Sequence, residues 1–184
     1  MTSDMHRIFR MNNPIQTYAW GSHTAIAALS GAAHPSEQPQ AELWMGAHPK
    51  ATSTIRFDGK NVSLIRLIEK HPEAVLGVKT AAKFDRRLPF LYKVLAADKP
   101  LSIQAHPNSD QAHAGFEREN QLAIPLDAPH RNYRDASHKP EIICALSPFW
   151  GLNGFQPVAA MARNLLEYGP RTLAALAQQL DPHS

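Results

Sequence analysis

Three residues of the 184-residue chain have the types and spacing to hold a divalent metal: Gln104, His106 and Glu141. A neutral imidazole offers nitrogen, a carboxylate offers oxygen and an amide carbonyl a further oxygen. Together these suit zinc and leave a coordination position open for water or substrate. Gln104 and His106 lie in "PLSIQAHPN". An extended backbone there puts Ser102, Gln104 and His106 on one face and Leu101, Ile103 and Ala105 on the other, because strand side chains alternate. Glu141 heads "EIICAL", which could lie alongside. Two readings stand at this point. The polar face is the floor of a site, or it is the solvated side of a sheet carrying a hydrogen-bonded histidine. Q-x-H spacing alone does not separate them.

A second cluster, "YRDASHKPE", gathers Arg134, Asp135, His138, Lys139 and Glu141 into one polar stretch. It is either a solvated loop whose charges pair locally, or a metal ligand at Glu141 with His138 and Lys139 beside it as acid/base groups. A lysine near a divalent cation gives up its proton more readily, which suits proton transfer near neutrality. "YAWGS" and "AELWMGAHP" put Trp20, Glu42 and Trp44 near short strands, where aromatics are more often core than site. His23, His48, His113 and His130 show no ligand spacing and read as structural.

These residues need elements to position them. Short strands are expected in "HRIFRMNN", "AELWMG" and "STIRF", the last running into a "DGK" turn. "SHTAIAALSG" reads as a short helix with Ser22 as its cap and Gly31 just past its end. "SLIRLIEKHPEAVLG" has helical spacing with Ser63 as cap. "LPFLYKVLAADKPLSIQAHP" is expected to be a hairpin turning at Asp98-Lys99-Pro100. "NSDQAHAGFERENQLA" then reads as a helix, "APHRNYRDASHKP" as a loop and "EIICAL" as a strand. "QPVAAMARNLLEYGP" and "RTLAALAQQL" are helical, with Pro157 in a first turn and Gly169-Pro170 as a stop. Strands first and helices second predict an α+β arrangement, mainly β with α, in which residues 1–150 form one domain and 151–184 open a helical subdomain.

Composition narrows the function class. A hydrophobic content of 43% supports a core, and the net charge of +3 comes from scattered rather than clustered cations, so no nucleic-acid partner is expected. A single cysteine, Cys144, rules out an intrachain disulfide framework and suits a reducing compartment. Neither a signal peptide nor a membrane span is expected, and a cytoplasmic location is.

"NPIQTYAWGS", "AELWMGAHPKATS", "LPFLYKVLAADKPLSIQAHPN" and "YRDASHKPEIICAL" resemble consecutive blocks of class I mannose-6-phosphate isomerase, in the family's order, over roughly residues 12 to 155. "SPFWGLNGFQP" resembles the family's exit from its metal domain. The resemblance implies a cupin-type β-barrel domain, incomplete here, leading into a helical insertion. It implies a zinc enzyme interconverting mannose 6-phosphate and fructose 6-phosphate through an enediol-type proton transfer, feeding nucleotide-sugar (GDP-mannose) synthesis. Carried over by position, Gln104, His106 and Glu141 match three zinc ligands, and His138 and Lys139 match residues of ring opening and proton transfer. Trp20, Glu42, Lys93 and Ser102 fall in blocks lining the substrate pocket, with Lys93 a candidate cation for the phosphate. That favours the site reading of the polar face.

The sequence departs from the family at Ser137, where Asn is usual, and at Ala19, where an acidic residue is common. The family's fourth zinc ligand, a histidine, and an active-site arginine belong to blocks absent from this sequence; His183 is out of context for that ligand. An open metal-bearing sheet exposes strand edges and apolar faces, so self-association is expected. Three functions remain open: the isomerase itself, a catalytically inactive N-terminal portion that binds zinc, and a stand-alone zinc- or sugar-binding cupin module.

Overall fold

The computed structural model describes residues 8–180. Their strands are β1 (Met11–Asn12), β2 (Ile15–Gln16), β3 (Glu42–Met45), β4 (Ala47–His48), β5 (Ala51–Thr52), β6 (Thr54–Phe57), β7 (Lys60–Ser63) and β8 (Tyr92–Leu95). The helices are α1 (Ala25–Leu29), α2 (Leu64–Lys70), α3 (Pro72–Leu76), α4 (Val78–Lys83), α5 (Ser109–Gln121), α6 (Val158–Tyr168) and α7 (Ala174–Leu180), with a 3-10 turn at Arg171–Leu173. The mixed β and α class expected from sequence is the one that forms. Among the described residues the strands make two three-stranded sheets and one two-stranded sheet, none closed into a barrel. His183 and the first two residues of "HRIFRMNN" lie outside the described residues.

The chain forms two compact units, one ending at Ser102 and the other beginning at Ile103. In the first, β3 is the centre of the sheet β2-β3-β8, pairing Leu43 with Ile15 on one side and with Val94 on the other. The sheet β1-β6-β7 sets Ile55 opposite both Met11 and Val62. The "DGK" turn between β6 and β7 forms as expected: Asp58 and Gly59 have φ of 47° and 75°, the left-handed pair that a tight hairpin needs. Ile26, Trp44, Ile55, Leu67 and Ile68 make the apolar core, with Ala27, Ala41, Ala81 and Ala96 filling between them. Ser53 is buried with its hydroxyl satisfied, donating to Asn13 Oδ1 at 2.8 Å and accepting from the Gly46 amide at 3.0 Å.

Four expectations are corrected. Ser22 is not the residue flanking α1, although its Oγ accepts from the Thr24 and Ala25 amides at 3.2 and 3.3 Å and so does a cap's work from two residues upstream. The single helix expected over 63–77 is broken into α2 and α3. Pro72 cannot donate and disfavours helical backbone in the residue before it, and His71 has φ −139° and ψ 56°. Ser63 does cap α2, accepting from the Arg66 amide at 3.2 Å.

The hairpin turning at Asp98-Lys99-Pro100 does not form. Beyond β8, the Ala96 amide donates to Ala41 O at 2.8 Å, and those of Asp98 and Lys99 donate to Trp20 O at 2.9 and 3.2 Å. These bonds carry the chain on along residues 20–22 on the β3 side of β8; among the described residues the outer edge of β8 gains no partner strand, and Leu101–His106 carries no ladder. "EIICAL" is likewise not a strand; Ile142 is 99% exposed, and no strand among the described residues pairs with it.

The second unit is ordered differently. α5 opens with a reciprocal capping box: Asn108 Oδ1 accepts from the Gln111 amide at 2.9 Å and Gln111 Oε1 from the Asn108 amide at 3.0 Å. Its buried positions are Ala112, Gly115 and Glu119, one helical face. The absence of a side chain at Gly115 matters, since a Cβ there would collide with the Tyr133 ring. Glu119 and Arg131 are only 5% and 4% exposed. Glu119 Oε2 accepts from the Tyr133 amide at 2.8 Å, Oε1 accepts from the Asn132 amide at 3.2 Å, and Arg131 Nε lies 3.6 Å from Oε2. Arg131 also donates to Asn120 Oδ1 at 2.6 Å, to Tyr133 O at 2.7 Å and to the Ile124 carbonyl. α6 and α7 pack through small residues, Ala162 and Ala177.

Burial pushes the Glu119 carboxyl up, but the Tyr133 and Asn132 donors and the Arg131 charge outweigh it and hold the group below the usual carboxylate range. A carboxylate lowered in the folded state stabilises fully above its unfolded value, about 4.3, and the contribution is lost as pH falls through the folded value. Amide protection at Asn132 and Tyr133, corrected for intrinsic exchange, is expected to be flat above about pH 5 and to fall below about pH 4. In E119Q it should be weaker and lack this acid step. In the first unit, Ile26→Ala empties a site that is 1% exposed and is expected to cost about 2–5 kcal/mol in urea denaturation.

Candidate metal and substrate site

His106 shows what its side chain can do. Its Nδ1 lies 2.7 Å from the Lys139 carbonyl oxygen. A carbonyl only accepts, so Nδ1 carries the ring proton and Nε2 presents a lone pair. That Nε2 lies 3.3 Å from Gln104 Oε1, a second lone-pair atom. With the ring in this tautomer both atoms are acceptors, an arrangement satisfied by a cation between them or by a second proton on the ring. Ligands about 2.1 Å from a tetrahedral zinc stand roughly 3.4 Å apart, so this spacing fits two corners of a zinc site. The alternation expected of "PLSIQAHPN" thus brings Gln104 and His106 together on extended backbone without a ladder.

Glu141 is exposed, two residues beyond the residue whose carbonyl holds His106. Among the described residues no three His, Cys, Asp or Glu side chains gather at metal-binding distance. The flanking loop is internally tied. Asp135 Oδ1 accepts from the Ser137 amide at 2.9 Å, and Lys139 Nζ donates to Asp135 Oδ2 at 3.0 Å. Partial burial pushes the Asp135 carboxyl up, but the Lys139 and Ser137 donors and the Lys139 charge bring it below its usual range. Because a main-chain amide at position 137 makes the tie, serine in place of asparagine preserves it. His138 Nδ1 lies 3.0 Å from the hydroxyl of Ser109, the first residue of α5.

In the first unit the sheet assembles a second cluster. Trp44 on β3 lies opposite Lys93 on β8, and Glu42 precedes Trp44 by two residues on the same face. Trp44 Nε1 donates to Glu42 Oε2 at 2.6 Å, Lys93 Nζ lies 3.5 Å from Glu42 Oε1, and the Lys93 ammonium sits 5.3 Å from the Trp44 ring centre. Trp20 stacks on Tyr18 at 5.7 Å, and Lys50 links that pair to Trp44, donating to Tyr18 Oη at 3.1 Å and lying 5.8 Å from the Trp44 ring centre. Trp20, Glu42 and Lys93 therefore belong to one network. Ser102 is exposed and not part of it. His48 packs edge-on against Trp44 at 4.8 Å, in keeping with a structural reading.

Sequence reasoning passed over Tyr18, Lys50 and Ser109, and took Asp135 only as one of a polar cluster without naming Lys139 as its partner. The i, i+4 spacing of Asp135 and Lys139 and the Asn108-x-x-Gln111 box were available signals. Nothing local links Tyr18 to Lys50.

The family described as phosphomannose isomerase type I, catalytic domain, matches residues 8–158. The chain is 52% identical over 148 residues to mannose-6-phosphate isomerase of Salmonella typhimurium, covering 80% of this chain and 38% of that protein. The human mannose-6-phosphate isomerase is 40% identical over 163 residues, covering 83% of this chain and 36% of its own length. A crystal structure of the Salmonella typhimurium isomerase bound to substrate (f6p) and zinc aligns with a TM-score of 0.79 at 46% identity, over 92% of this chain and 44% of that one. The chain thus spans well under half the length of these relatives and has the fold class of their matched portion. It belongs to the phosphomannose isomerase type I family.

Proposed function

We propose that the chain carries the zinc-binding residues and part of the sugar-phosphate site of a mannose-6-phosphate isomerase. The observation that carries this is the pair of lone-pair atoms, Gln104 Oε1 and His106 Nε2, facing one another at 3.3 Å while Nδ1 is tied to Lys139 O. Gln104, His106 and Glu141 would hold the metal. When bound, zinc supplies positive charge for the oxygen on which negative charge develops. Residues 1–150 form the metal-bearing part and 151–184 the opening of the helical part. The reading places the chain in the cytoplasm, in the supply of mannose for nucleotide sugars.

Interconverting an aldose and a ketose moves a proton between C1 and C2 through an enediol, which needs an acid/base group within about 3 Å of carbon. Lys139 Nζ, held by Asp135, and His138, whose Nδ1 meets Ser109, are the groups for proton transfer and ring opening. Glu42, Lys93 and Trp20 position the sugar phosphate, and Ser102 is proposed to line the same pocket. A second reading, a zinc-binding but non-catalytic portion, is favoured by one observation: Ile103 is 83%, Ile142 99% and Trp150 97% exposed. Apolar surface on that scale also supports self-association.

Mannose 6-phosphate isomerisation is to be measured with excess zinc and again after chelation. Chelator-sensitive turnover is expected from the first reading, and zinc bound without turnover from the second. H106A and E141A should each lower zinc content at least 10-fold; unchanged content in both rules out the metal assignment. Light scattering should show concentration-dependent association that the double variant I103K/I142K reduces, and a strictly monomeric parent would exclude that proposal.

A further inference from the structure

Neither residue of the buried pair Glu119 and Arg131 has been given a part in the site, yet their contacts end at its border. Arg131 is held on four sides, by Glu119, Asn120 Oδ1, the Ile124 carbonyl and Tyr133 O. Its guanidinium also lies 5.2 Å from the Phe116 ring centre, and that of Arg118 lies 5.7 Å from the ring centre of Tyr133. Glu119 takes the main-chain donors of Asn132 and Tyr133 as well as the Asn132 amide group at 3.4 Å. The Tyr133 ring fills the space left open by Gly115. Those to Glu119, Asn120, Phe116, Arg118 and Gly115 fix residues 131–133 against α5.

Two residues further on, Asp135 begins the short tie to Ser137 and Lys139, and the Lys139 carbonyl orients His106. The same helix, through Ser109 at its first turn, holds His138. The unit offers little else to set this geometry. The segments that carry Gln104, His106 and Glu141 have no ladder, and the buried apolar side chains of this unit are alanines. A metal-ligating histidine depends on the partner of its other ring nitrogen for tautomer and orientation.

We propose that Glu119 and Arg131 are positioning residues for the metal site, clamping residues 131–133 to α5 so that the Lys139 carbonyl fixes the His106 ring as its Nδ1–H tautomer. The proposal deepens the zinc reading and rests on it for the identity of the metal, while the ring geometry it invokes can be read without metal. The clamp and the ligand are linked by six residues of chain and two hydrogen bonds, so loosening residues 131–133 reaches His106 without unfolding α5.

The test uses the full 184-residue chain with E119Q and G115A. The first weakens the ion pair and leaves the helix intact. The second raises helix propensity in α5 and displaces the Tyr133 ring, so it moves the loop without touching a charge. Long-range 1H–15N spectra of the histidine rings at pH 8, without metal, report the His106 tautomer. Titration with Co2+ alone, followed by its visible absorption, reports affinity. The parent should show a single Nδ1–H tautomer at His106. Both variants should show mixed tautomers with α5 amides still protected, and Co2+ affinity lowered about 10- to 100-fold.

A His106 tautomer unchanged in G115A, with exchange at Asn132 and Tyr133 accelerated, overturns the proposal. Should E119Q fail to fold, G115A decides alone. Absence of Co2+ binding in the parent would sink the zinc reading, while the tautomer result would still decide the positioning role. E119D, which restores the charge, should recover at least part of the parental spectrum; a merely structural loss would not track the charge in this way.

Discussion

Where the backbone donors go after β8 sets the terms for the rest of the chain. The strand ends by crossing residues 20–22 instead of folding back on itself: Ser22 N donates to Ala96 O at 2.9 Å, Gly21 bridges Ala97, and Trp20 O takes two successive amides. The crossing is close enough that a Cβ on Gly21 would lie 2.5 Å from Ala41 N, so only glycine lets the two backbones approach this far. Pro100 then supplies no donor at all. The stretch bearing Gln104 and His106 leaves the sheet extended but unladdered, and nothing in its own backbone fixes where its side chains sit.

From this follows the contrast between the two halves of the candidate machinery. Glu42, Trp44 and Lys93 are placed by a three-stranded register, with Trp44 sealed into the core, so their mutual geometry is as firm as the sheet. His106 and His138 are each placed by a single hydrogen bond between exposed groups. One such bond contributes about 0.5–1.5 kcal/mol, which still leaves the ring free of it for an appreciable fraction of the time. Firmness here has to be borrowed from the one buried polar assembly nearby, Glu119 with Arg131. A buried ion pair is weak evidence for stability. It is better evidence for specificity, because a carboxylate with three hydrogen-bond donors and an arginine beside it restricts the arrangement of the chain around it.

Much of this was legible in the residues, and the failures have definite causes. The "DGK" turn, the Ser63 cap, α5 with its Asn108 box and the pairing of Gln104 with His106 are local, set by residues two to four apart. The hairpin at Asp98-Lys99-Pro100 and the "EIICAL" strand were not legible. Apolar, β-branched runs state a preference for extended backbone but not that a partner strand exists, and here both runs are left without a ladder. The helix break at His71-Pro72 could have been read from the proline. The Glu119–Arg131 pair could not: twelve residues separate them, and no period or motif joins a helix to a loop at that distance.

Lys93 and Lys139, each in its own unit, are both already paired, and their partners differ in what they allow. Lys139 meets Asp135 at 3.0 Å with both side chains about half exposed, a pair worth about 0–1 kcal/mol. It can release its ammonium to a substrate at little cost. Lys93 faces Glu42, which is buried and held at its other oxygen by the Trp44 indole. Moving that ammonium away would leave a buried carboxylate with one donor, a costly state. Lys139 is thus a cation free to leave its partner and Lys93 one fixed in its sheet, a difference that composition and net charge could not have indicated.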